Sequence, residues 1–96
     1  MLIQRKQDGS KGSFYVEEDG ILLAEMTYSM TGNDLMIIDH TEVSDKLRGK
    51  NVGYQLVHTA VEYARENNIS ILPLCPFANS VFKKKATEFG DVRRRN

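Results

Sequence analysis

One cysteine, two prolines, no tryptophan and no net charge mark this 96-residue chain, and each scarcity excludes something. Cys75 alone cannot form an intramolecular disulfide, and no Cys/His spacing of the metal-binding kind accompanies it. A single thiol fits a reducing compartment, so a cytoplasmic setting is expected. Thirteen Lys and Arg stand against thirteen Asp and Glu. No global field draws such a protein to a membrane surface or to nucleic acid, and neither is an expected partner. No apolar run approaches the ~20 residues of a spanning helix. The start, Met1-Leu2-Ile3-Gln4-Arg5-Lys6, lacks the apolar stretch of a signal peptide. The P-loop and the glycine-rich dinucleotide fingerprint are both missing, which removes two common phosphate-binding loops.

What is present changes character half-way along. Residues 2–6, 13–18, 21–28 and 34–43 read as strands, separated by turn-forming residues at 8–12, 19–20 and 31–33. Asp19-Gly20 between two extended runs is a strong signal for a two-residue hairpin. From residue 52 the period shifts. Val52, Leu56, Val57, Ala60, Val61 and Ala64 fall on one helical stripe, which Asn67-Asn68 ends. Residues 69–74 form a short apolar strand, and Pro73 within it argues for an edge, a bulge or a place where pairing stops. A last helix is predicted over 79–89. Asn79 is its N-cap, Ala78, Val81, Phe82, Ala86 and Phe89 its buried face, and Gly90 its left-handed C′ residue. The expected fold is α+β: a four-stranded antiparallel meander followed by α-β-α, with strands four and five parallel through a right-handed crossover. One domain over 1–90 and a frayed, charged tail over 91–96 complete the expectation.

Leu47-Arg48-Gly49-Lys50-Asn51-Val52-Gly53 joins the longest strand to the first helix. A strand, a basic Gly-containing turn and a helix start make an anion cradle, because the first amides of a helix lack partners and its dipole favours negative charge. The plainer reading is a turn with solvated basic residues. Cys75 lies at a strand end just before a helix, where a thiol gains thiolate character. A lone cysteine is more commonly buried and inert. His40 and Glu42 alternate on one strand, on the same face as Met36 and Ile38. Such a pair suits removal of a proton from an amine, or tuning of a nearby thiol. Tyr54 adjoins the loop and Tyr63 reads as an amphipathic helix residue. Lys83-Lys84-Lys85 and Arg93-Arg94-Arg95 carry the local positive charge. They read as solvated faces, or as attraction for a phosphate or an acidic partner.

Arg48-Gly49-Lys50-Asn51-Val52-Gly53 resembles the acetyl-CoA loop of the GNAT superfamily of N-acetyltransferases, Q/R-x-x-G-x-G/A, with Asn51 in place of the middle glycine. Together with His40-Thr41-Glu42-Val43 and Cys75-Pro76-Phe77, it is similar to a group of very small stand-alone GNAT-like proteins. The resemblance implies strands four and five that splay apart, a pantetheine arm along Thr41 to Val43, and a pyrophosphate over Arg48, Gly49, Lys50, Asn51, Val52, Gly53 and Tyr54. Contacts from Asn79 and Phe82 are also implied. It further implies a reactive Cys75 assisted by His40 or Glu42, with either an acetyl-accepting thiol or direct transfer. Acetyl-CoA is the implied donor and an unidentified amine, small molecule or protein, the acceptor. A monomer or weak homodimer is expected. The alternatives are a CoA-binding module with little or no catalysis, and a binder of nucleic acid or acidic partners through the basic clusters.

Overall fold

The computed structural model describes residues 1–94. Strands β1 (Gln4–Asp8), β2 (Lys11–Glu18), β3 (Ile21–Thr31) and β4 (Leu35–Val43) form an antiparallel meander. Helix α1 (Val52–Asn67) then returns the chain to β5 (Ser70–Pro73), parallel to β4, and α2 (Pro76–Lys84) and the short α3 (Ala86–Phe89) follow. The sheet order is β1-β2-β3-β4-β5, the α+β arrangement anticipated. At Asp19-Gly20 both residues take positive φ, 52° and 78°, as a primed two-residue turn requires. Asn68 closes α1 in the left-handed region, its amide donating to the Ala64 carbonyl. No described helix is long and apolar enough to cross a membrane.

The helices cover one face of the sheet. Phe14, Met26, Tyr28, Met36, Ile38 and Ile71 meet Leu56, Val57, Ala60, Phe82 and Phe89 in a single buried cluster. The opposite face is polar and open, carrying Lys6, Glu25, His40 and Glu42.

Several expectations shift. The first strand lies two residues further on than read, and β3 runs to Thr31. The last helix begins at Pro76, not Asn79, with Cys75 as N-cap. Proline at the first helical position has the right φ and no amide left to satisfy, which outweighs the capping tendency of Asn79. Helix α2 breaks at Lys85, whose φ −109° and ψ 33° are not helical, so the single helix expected over 79–89 is two. Gly90 is right-handed, φ −63°, rather than a left-handed C′ residue. Residues 91–94 are held in place. Val92 is buried, and the Arg94 amide donates to the Ile71 carbonyl beside a bridge between Ile71 and Arg93. Of the Arg93-Arg94-Arg95 cluster, Arg95 lies outside the described residues, as does Asn96.

Candidate functional site

The β4–β5 pair ends early. Ile38 opposite Pro73 is its last rung, and the amides of Leu74 and Cys75 both turn to the Ile38 carbonyl, at 3.1 Å each. Beyond that rung, β4 continues through Asp39–Val43 with no strand pairing on that side among the described residues. The proline cannot donate to the ladder and helps end it there. This is the splay that the resemblance implied.

A register shift between Thr27 and Tyr28 leaves Asp39 of β4 as an extra residue, since Tyr28 pairs with Ile38 and Thr27 with His40. One unpaired residue reverses the alternation beyond it. Met36 and Ile38 point into the core, but His40 and Glu42 emerge on the open face, at 64% and 79% side-chain exposure. This corrects the expectation that the pair shares the core-side face. They do meet each other, His40 Nε2 to Glu42 Oε1 at 3.0 Å. Thr41 takes the inner position instead, opposite the buried Met26.

Cys75 is 4% exposed, and its thiol donates to the Thr41 hydroxyl at 3.5 Å. Thr41 is therefore the side chain brought to the thiol, where sequence reasoning had His40 or Glu42. Residues 35–43 alone do not show that swap, because the extra residue is set by pairing with β3.

The loop after β4 is tightly built. Ser44 caps a 3-10 turn, Asp45–Leu47, its hydroxyl accepting from the Lys46 amide at 3.2 Å. Gly49 takes φ 79° and Asn51 φ 58°. Asn51 thus adopts the left-handed conformation that the glycine it replaces would, a region asparagine tolerates better than most residues. It precedes α1 without a side-chain cap. Among the described residues, the amides of Val52, Gly53 and Tyr54 have no hydrogen-bond partner. The Lys50 amide is spent on Leu47, while the Lys50 carbonyl accepts from the Gln55 side chain at 2.9 Å. Arg48 is 80% exposed and pairs with Asp45 at 3.0 Å.

Two clefts flank these amides. One, of about 390 Å³, lies between the β4 end and the loop and is lined by Thr41, Val43, Leu47, Asn51, Gly53 and Phe77 among others. It also takes in Arg48, Gly49, Val52 and Tyr54. The other, of about 330 Å³, lies between the starts of α1 and α2, with Ser80, Val81, Lys84 and Lys85. Asn51, Tyr54 and Phe77 belong to both. Two residues expected at the ligand line neither cleft. Phe82 is 1% exposed and packs edge-on against Phe89 at 5.7 Å. Asn79 lies in the first turn of α2 and accepts from Arg93 at 2.9 Å. Their helical period put Val81 and Lys85 at the cleft instead.

The residues matched decide the family. Residues 13–92 match the GCN5-related N-acetyltransferase family. The chain belongs to that family. A GCN5-like protein of Staphylococcus aureus, described as an N-acetyltransferase and solved by NMR, is 38% identical. The match covers 97% of this chain and 89% of that one, with a TM-score of 0.70. A ribosomal-protein-alanine N-acetyltransferase of Brucella melitensis shares the fold at 20% identity over 80% of this chain and 62% of its own, TM-score 0.66. An aminoglycoside N-acetyltransferase solved with CoA does so at 16% identity over 91% of this chain and 73% of its own, TM-score 0.54. The chain matches no curated protein. As a GCN5-related acetyltransferase it draws on acetyl-CoA. The site fits that donor: free amides and a helix start for a pyrophosphate, an unpaired strand edge for an amide-bearing arm, and lysines for a further phosphate.

Proposed function

We propose that this GCN5-related acetyltransferase moves an acetyl group to an amine acceptor, a small molecule or a protein, at the splay between β4 and β5. The observation that carries this is the run of three unpartnered amides, Val52 to Tyr54, facing a cleft that continues along the unpaired edge of β4. Those amides and Lys50 would hold the pyrophosphate, and the backbone at Thr41 and Val43 the pantetheine arm. Lys84 or Lys85 would meet the 3′-phosphate. When bound, acetyl-CoA supplies the acetyl group as an activated thioester.

The chain's own residues do the rest. Cys75, beside the splay, offers a thiol on which an acetyl group would rest in a two-stage route. In a direct route it is a wall. The Thr41 hydroxyl accepts the thiol proton's hydrogen bond and, by rotating, can donate to a thiolate instead. His40, held by Glu42, stands on the open face, where an amine approaching from that side would meet it. That separation favours His40 as a proton acceptor for the amine over a partner for Cys75.

Incubation with acetyl-CoA followed by intact-protein mass spectrometry tests the covalent route. The expected result is a single acetyl adduct on Cys75, absent in Cys75→Ala. Full amine acetylation by Cys75→Ala with no adduct on the parent would leave the direct route. The displacement of His40 and Glu42 also favours a second reading, a CoA-binding module with little turnover. Tight CoA binding without acetylation of any amine in a broad panel would establish it.

A further inference from the structure

Phe77 is the second residue of α2, 41% exposed, and no role has fallen to it so far. Its ring sits against the first turn of α1. A Cβ built on Gly53 would come within 2.5 Å of the ring's Cζ and 2.9 Å of Cε2. The ring therefore occupies the space that any side chain at position 53 would need. Gly53 has ordinary helical backbone and shows no positive φ, so its conformation does not call for glycine. Alanine at this position would have to push the ring aside.

The same ring borders both clefts. One side is apolar, with Val43, Leu47 and Val52; the other carries Ser80, Lys84 and Lys85. Of the three residues with free amides, Val52 and Gly53 line the first cleft and Tyr54 borders both. A ligand with an apolar arm at one end and phosphates at the other would have to cross there, past the ring.

We propose that Phe77, seated on Gly53, is a binding residue of the acetyl-CoA site that walls one cleft from the other and fixes the path of the arm between them. The proposal rests on the cofactor reading above. It separates two parts of one ligand, so calorimetric titration with CoA and with adenosine 3′,5′-bisphosphate as the nucleotide-only probe reads it directly. Phe77→Ala is expected to weaken CoA by at least about tenfold while leaving the nucleotide probe within about twofold. Phe77→Tyr keeps the ring and should bind CoA as the parent does. Gly53→Ala should lose CoA through displacement of the ring. Adding Phe77→Ala to it should cause no further loss, the non-additivity of two residues in contact. Thermal melts of each variant show whether it is folded. Phe77→Ala that binds CoA within about twofold of the parent, or that loses both probes equally, overturns the proposal. A parent protein that binds neither probe overturns the cofactor reading instead.

Discussion

Asn51 shows how a residue that departs from a family pattern can still do its work. It stands at φ 58°, ψ 33°, and makes no capping bond through its side chain. Its contribution is conformational, so a side chain that resists the left-handed region should be felt and glycine should not. Asn51→Ala is expected to cost about 1 kcal/mol, and Asn51→Gly to stay within about 0.5 kcal/mol of the parent. Urea unfolding midpoints measure both. Thr41 was expected along the pantetheine arm, not as the side chain beside the thiol. Its place beside Cys75 follows from Asp39, an ordinary aspartate whose role as an unpaired residue depends on pairing with β3 and is invisible in local sequence.

At the scale of elements, most of the fold was legible because its signals are local. Asp19-Gly20 specifies its hairpin, and the stripe from Val52 to Ala64 specifies α1. The start of α2 was legible too, but in Pro76 rather than Asn79. The anchoring of the C-terminal segment was not legible, because it is tertiary. Arg65 near the end of α1 reaches Asp91 with two hydrogen bonds, 2.8 and 2.9 Å, and the Glu88 carbonyl with a third. The Arg65 guanidinium holds the Asp91 carboxyl below its ordinary value, with burial opposing more weakly. A carboxyl depressed in the folded state stabilises that state above its unfolded pKa and ceases to as pH falls through its folded one. Stability should thus decline below the usual carboxylate range, near pH 4. Asp91→Asn should lower the melting temperature modestly at pH 7 and converge with the parent in strong acid. Asp91 is exposed and Arg65 partly so, and solvent screening keeps the difference small. Melting curves across pH 2–7 would show parallel profiles if the contact were idle.

The whole molecule is a sheet with one packed face. With 96 residues, it relies on a single cluster in which Phe82 and Phe89 join α2 and α3 to α1. Domains of this kind are stable by roughly 5–15 kcal/mol. Removing a buried ring costs about 3–5 kcal/mol. Phe82→Ala should therefore act on folding, with a large drop in urea midpoint, and any loss of CoA binding should track the unfolded fraction. A folded Phe82→Ala of parental stability that fails to bind CoA would restore Phe82 to the ligand. The open face is the other whole-molecule fact. Lys6, Glu25, Glu42 and His40 form a charged band across it from β1 to β4, with Glu25 directly opposite Glu42. An acceptor arriving there meets side chains of the sheet itself, with no described helix between.

The extra residue at Asp39 also works as a phase setting. A strand deals its side chains alternately to two environments, so the count of residues before a position matters as much as its identity. With Asp39 removed, His40 would follow Ile38 just as their partners Thr27 and Tyr28 are adjacent, and the faces of His40, Thr41 and Glu42 would not change; were Asp39 instead taken into the ladder as an ordinary rung, His40 and Glu42 would turn inward toward Cys75 and Thr41 out to water. The same letters in the same order would then bring a different pair of side chains to the thiol. A relative one residue shorter at this point, and aligned without gaps elsewhere, would keep these faces with no bulge at all.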